Sequence, residues 1–84
     1  MKKRPTIILY TTNNSRMCDL ARDYLRVGGF NFDEINLDRE KQYSEGIYAR
    51  AGKEETPIVE INGRIVVGYR PEVYEILLEG SSKE

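Results

Sequence analysis

One cysteine, no histidine and no tryptophan stand in 84 residues. A lone thiol cannot close an intrachain disulfide, and without histidine the ordinary Cys/His metal sites are out of reach, so no metal is expected. A single domain over 1–84 is expected, near the length at which an unstapled core becomes marginal. It must hold by packing alone, with Ile, Val, Leu, Tyr and Phe as the material. No apolar run approaches the roughly 20 residues of a membrane span. An excess of charge of either sign is also missing: 13 Lys+Arg stand against 14 Asp+Glu. That balance argues against a binder of nucleic acid or membrane surface driven by charge. The basic start Met1-Lys2-Lys3-Arg4 runs into proline and a short strand with no h-region behind it. A lone thiol in such a chain fits a reducing, cytoplasmic setting.

What is present has a clear order. Thr6-Ile7-Ile8-Leu9-Tyr10 is an apolar, β-branched run of the kind buried on both faces of a sheet. Polar residues 11–14 follow, and Asn14 or Ser15 can cap a helix. Met17, Leu20, Ala21, Tyr24 and Leu25 fall on one helical stripe, closed by Gly28-Gly29. Residues 30–38 read as a second strand whose alternation slips between Phe32 and Ile35, which predicts a bulge or an irregular start. A weaker helix over 42–51 places Tyr43, Ile47 and Tyr48 on one side and stops at Gly52. Pro57-Ile58-Val59-Glu60-Ile61 and Arg64-Ile65-Val66-Val67 flank Asn62-Gly63, a strong hairpin signal. Pro71 opens a last helix with Val73, Ile76 and Leu77 as its buried stripe, and 80–84 is expected to be a flexible tail.

The order β-α-β-α-β-β-α predicts an α/β fold: a four-stranded mixed sheet with helices on both faces. The same order, with a Cys-x-x-Cys-like turn after the first strand, resembles the thioredoxin fold and specifically the glutaredoxin family. Three patches carry the resemblance: Ile8-Leu9-Tyr10-Thr11 with Ser15-Arg16-Met17-Cys18, then Thr56-Pro57-Ile58-Val59, then Val67-Gly68-Tyr69-Arg70-Pro71-Glu72. The resemblance implies a thiol–disulfide oxidoreductase acting as a monomer, with Ser15 at the nucleophilic-cysteine position and Cys18 at the resolving one. It implies a cis Pro57 facing the active-site turn. It further implies substrate contacts from Tyr10, Arg16, Met17, Thr56, Pro57, Gly68 and Tyr69. Thr12 and the Gly68-Tyr69-Arg70-Pro71 turn depart from the features that hold glutathione in many glutaredoxins. The latter stretch is more similar to the glutaredoxin-like redoxins that serve ribonucleotide reductase. The implied partners are a disulfide-bearing protein and a thioredoxin-reductase-like or glutathione reductant, with no resident cofactor.

Helical geometry separates the two key positions. With the stripe from Met17 to Leu25 turned inward, Ser15 points toward solvent and Cys18 lies at the stripe's edge, half or mostly buried. A serine hydroxyl cannot replace a thiol in exchange, and with no histidine a serine hydrolase lacks its usual base. Taken singly, Ser15 is a helix cap, Cys18 a small core residue and Pro57 an ordinary trans proline. Beside the oxidoreductase stands a second reading, a redox-silent binding module that holds a peptide or thiol ligand in the same groove.

Overall fold

The computed structural model describes residues 4–80. The first three residues of the basic start and residues 81–84 of the expected tail lie outside the described residues. The chain runs β1 (Ile7–Thr11), α1 (Arg16–Val27), β2 (Asp33–Asn36), a 3-10 turn at Lys41–Tyr43, α2 (Ser44–Ala51), β3 (Ile58–Ile61), β4 (Arg64–Val67) and α3 (Pro71–Leu78). The strands form one mixed sheet in the order β2-β1-β3-β4. β1 pairs parallel with β2 and antiparallel with β3, and β3 pairs antiparallel with β4. The predicted architecture is the observed one.

Period-two alternation sorts the strand residues to two faces. Ile7, Leu9, Val59, Ile61 and Val66 meet Ala21 and Leu25 of α1 and Tyr74 and Leu78 of α3. On the other face Tyr10 and Ile58 meet Leu37 and Ile47, the latter from α2. Nearly all of these side chains are fully buried, so the sheet is covered on both sides. The Asn62-Gly63 hairpin forms as expected, with φ of 50° and 86° at the two turn residues, both positive as a type I′ turn requires. Asn62 also ties the turn to the start of β1: its Oδ1 accepts from the Thr6 N–H at 2.9 Å.

Four helical or strand details differ from the periodicity. In α1 the buried line is Cys18, Ala21 and Leu25, while Met17 is 51% exposed. Met17 falls off that line, beside Cys18 in the first turn of the helix. In α3 the buried residues are Tyr74 and Leu78, and Ile76 is 67% exposed. The stripe is rotated because the Tyr74 hydroxyl has a backbone partner and can go inside. The predicted strand at 30–38 shortens to Asp33–Asn36, with the irregular start appearing as non-strand chain over 30–32, where the Phe30 N–H donates to the Leu25 carbonyl at 3.0 Å. The helix expected over 42–51 opens as the 3-10 turn, leaving Tyr43 46% exposed.

A charged bracket ties α1 to the edge strand. Arg22 Nε and Nη2 donate to Glu34 Oε1 and Oε2 at 2.8 and 2.7 Å, the two-pronged geometry that suits guanidinium and carboxylate. Glu34 Oε2 also accepts from Thr11 Oγ1 at 2.9 Å. The Arg22 hydrogen bond holds the Glu34 carboxyl below its usual range, and the Thr11 hydroxyl adds to that effect against the opposing burial. A lowered folded pKa gives stability that is complete above the ordinary glutamate value of about 4.3 and lost as pH falls through the lower folded value. With the two side chains only 23% and 27% exposed, Glu34→Gln is expected to cost about 1 kcal/mol at pH 7. Urea titrations across pH should show the gap between wild type and variant closing below pH 4.3 or so.

Candidate functional site

The topology brings three separate stretches to one end of the sheet. Because β3 runs antiparallel to β1, the exit of β1 lies beside the entry of β3, with Tyr10 opposite Ile58. Because β4 runs antiparallel to β3, its exit lies there too, with Val67 opposite Ile58. The turn at 12–15, Thr56-Pro57 and Gly68-Tyr69 therefore share an edge. Their contacts are direct. Thr12 Oγ1 and Thr56 Oγ1 are hydrogen-bonded at 2.6 Å, and the Gly68 N–H donates to the Pro57 carbonyl at 2.7 Å. The Thr56-Pro57 peptide bond is cis, as the resemblance implied.

Within the turn, Asn14 takes a positive φ of 56°, a conformation asparagine tolerates better than most residues. Asn13 is held from two sides: its N–H donates to Asp38 Oδ2 at 2.7 Å and its Oδ1 accepts from Asn36 Nδ2 at 2.9 Å. Ser15 then caps α1. Its Oγ accepts from the Cys18 N–H at 3.2 Å, and its backbone is extended. The residues at the helix tip, Arg16 and Met17, are exposed, and Ser15 is half-buried. Cys18 is a free thiol with 0% exposure, more deeply placed than the edge of the stripe predicts. The reason is the rotated buried line of α1, which has Cys18 as its first member.

On the far side of the site, Gly68 has φ of 92°, a backbone state that side chains rarely adopt. Tyr74 fixes that turn from below: its hydroxyl donates to the Gly68 carbonyl at 2.6 Å. Burial pushes the Tyr74 phenol up to about 12, so it remains a donor throughout the neutral and mildly alkaline range. Tyr69 is half-buried and packs edge-to-face on Tyr74, ring centroids 6.2 Å apart. The predicted stripe of Val73, Ile76 and Leu77 left Tyr74 out and missed this role. A tyrosine three residues after a helix-opening proline, within reach of a glycine turn, is the signal that could have found it.

Of the residues singled out from the sequence, Ser15, Cys18, Arg16, Met17, Thr56, Pro57, Gly68 and Tyr69 lie at or border this edge. Tyr10 does not. Its ring is 6% exposed inside the cluster with Ile47 and Ile58, and its hydroxyl donates to Glu60 Oε1 at 3.4 Å. Glu60 in turn pairs with Arg50 of α2 at 3.2 Å, so Tyr10 is engaged beneath α2. Burial first, then the Glu60 charge, raises its phenol above the ordinary value. Thr12, which the sequence marked only as a departure, supplies the hydroxyl that bridges the turn to Thr56. Among the described residues no group of His, Cys, Asp or Glu is arranged to hold a metal ion. No helix among them is long and apolar enough to cross a membrane.

Removing the Tyr74 hydroxyl isolates its contribution. Tyr74→Phe keeps the ring packing and deletes one hydrogen bond, with an expected loss of about 1 kcal/mol in chemical denaturation. Amide shifts in the variant should concentrate at residues 67–70 and leave the Ser15 cap unmoved.

Comparison with known proteins agrees with this geometry. The family model described as Glutaredoxin matches residues 7–66. A glutaredoxin-like 8.6 kDa protein in the rubredoxin operon of Clostridium pasteurianum is 23% identical over 73 residues, covering 87% of this chain and 97% of that protein. Among solved structures, the glutaredoxin-like protein NrdH-redoxin of Escherichia coli superposes with a TM-score of 0.78. It is 29% identical, over 86% of this chain and 93% of its own. The glutaredoxin of Archaeoglobus fulgidus superposes with a TM-score of 0.80 over 88% and 86% of the two chains, at 23% identity, a likeness of fold.

Proposed function

The chain belongs to the glutaredoxin family, and on that premise we propose that it is a thiol–disulfide oxidoreductase scaffold that carries reducing equivalents to protein disulfides. Positions 15 and 18 are its reacting positions. The observation that carries the reading is the convergence of the Ser15-to-Cys18 helix tip, Thr56-cis-Pro57 and the Gly68 turn at one end of the sheet. An extended peptide laid across that end would meet Thr56 and the helix N-terminus together. Unpaired N–H groups at a helix N-terminus favour a thiolate, the species that attacks a disulfide.

Ser15 stands at the position where the family's attacking cysteine would be, and the chain has one thiol. A two-cysteine cycle ending in an intramolecular disulfide therefore has no second sulfur here. The step left to Cys18 is attack of its Sγ on a substrate disulfide: one S–S bond breaks, a Cys18 mixed disulfide forms, and the other substrate sulfur leaves as thiolate. An external thiol must then resolve the adduct. With Cys18 at 0% exposure, this attack waits on local opening of the first turn of α1. The residue at 15 is either native to a one-thiol protein or a serine in place of a cysteine, and the native coding sequence decides between them.

For the reductant, the thioredoxin-like activity profile of the Escherichia coli protein supports a reductase donor over glutathione. The Thr12–Thr56 hydroxyl pair points the same way, since it places a neutral bridge where a cation would receive a tripeptide carboxylate. The protein substrate is disulfide-bearing, and the site works as a monomer.

Intact-mass measurement tests the reading. Ser15→Cys is expected to form an intramolecular disulfide on mild oxidation, read as the loss of two hydrogens, and to reduce an insulin disulfide with turnover. The chain with Ser15 should give only a slow stoichiometric adduct at Cys18 with a small mixed disulfide. Failure of Ser15→Cys to turn over, with its fold intact by circular dichroism, would favour the silent binding module.

A further inference from the structure

The charges of α1 are divided by flank. Arg22 is bound to Glu34 on the β2 side, and the Arg26 charge adds a little to the field that lowers the Glu34 carboxyl. On the opposite flank, α1 and the last turns of α3 enclose an open groove of about 620 Å³. Asp23 of α1 and Glu75 and Glu79 of the α3 side border it, and among the described residues no lysine or arginine lines it. These three carboxylates have no ion-pair partner among the described residues. Between them the walls are apolar and aromatic: Tyr24, Val27, Tyr69 and Leu78. Val27, the last residue of α1, is 88% exposed and adds an aliphatic surface to the groove.

We propose that this groove is a docking surface for a basic segment of a partner protein, one that presents an arginine or lysine beside an aliphatic side chain. The complementarity is specific. Three uncompensated carboxylates favour a cation, and the faces of Tyr24 and Tyr69 add the attraction of an aromatic ring for a guanidinium or ammonium group. Tyr24 packs edge-to-face on the buried Tyr74 with ring centroids 5.4 Å apart, so the groove wall is set by the core rather than by a mobile side chain. The Glu75 charge reaches Tyr24, whose phenol is raised by burial and then by that carboxylate. Tyr69 belongs both to this groove and to the turn that begins at Gly68. A partner segment held here therefore leads toward the Thr56-Pro57 edge. The area is small, which suits the brief encounters of redox proteins better than a permanent complex. The groove uses no atom of Ser15 or Cys18, so this surface stands or falls apart from the redox reading.

The test uses the full chain, labelled with nitrogen-15, and two acetylated hexapeptides as probes: one of alternating leucine and arginine, one of alternating leucine and glutamate. The expected result is amide shifts at Asp23, Val27, Glu75 and Glu79 with the arginine peptide, weakening as salt is raised. Glu75→Lys with Glu79→Lys should weaken that binding roughly tenfold. Asp23→Asn, a milder change on α1, should weaken it in the same direction if the double variant does not fold. Equal binding of the glutamate peptide, shifts confined to Thr56-Pro57, or affinity unchanged by Asp23→Asn would overturn the proposal. So would concentration-dependent shifts at the groove without peptide, which would assign it to a second copy of the chain.

Discussion

Everything functional in this molecule depends on the pairing of β1 on both of its edges. Its parallel partner, β2, forces the chain to cross over through α1, and its antiparallel partner, β3, returns the later half of the sequence to the same end of the sheet. The register is held by burial. Ile7 and Leu9 face α1 and α3 while Tyr10 faces α2, so a slip of one residue would exchange the two faces entirely. The same register places the turn after β1 within one hydroxyl-to-hydroxyl bond of the loop before β3. The site is a consequence of strand order before it is a consequence of any side chain.

Around that frame, polar side chains hold the irregular segments. The turn before α1 is anchored by Asn36, the last residue of β2, and by Asp38 beyond it, and the Gly68 turn is anchored by Tyr74 from α3. Arg22 and Glu34 clamp α1 to the edge strand, the place where a sheet is least protected. The loops are therefore fixed by elements that follow them in sequence, which gives a small domain without an intrachain disulfide a connected surface.

The element order, the hairpin and the helix cap were legible in the sequence because each has a local cause: alternation, Asn62-Gly63, and a serine ahead of an amphipathic run. The phase of two helices was not. Met17 and Ile76 are apolar, and periodicity turns them inward, but whether a strand lies opposite is a tertiary fact. Tyr74 could enter the core only because a carbonyl some distance away, in a turn with positive φ, accepts its proton. At the site, family spacing located residues 15, 18, 56, 57, 68 and 69. It also placed Tyr10 there, since a strand's last residues border the edge. The pleat sends that ring to the α2 face instead. The Thr12–Thr56 contact spans 44 residues and leaves no trace in local pattern.

The Ser15 hydroxyl accepts from the Cys18 N–H, a first-turn donor of α1 that a nucleophile at this position would also need. Serine satisfies that donor while neutral; a sulfur would satisfy it well only as an anion. Anchoring the helix and arming it thus compete for one backbone proton. With serine at 15 the cap is made by a neutral hydroxyl, whereas a cysteine at the same position would make the cap depend on its own ionisation.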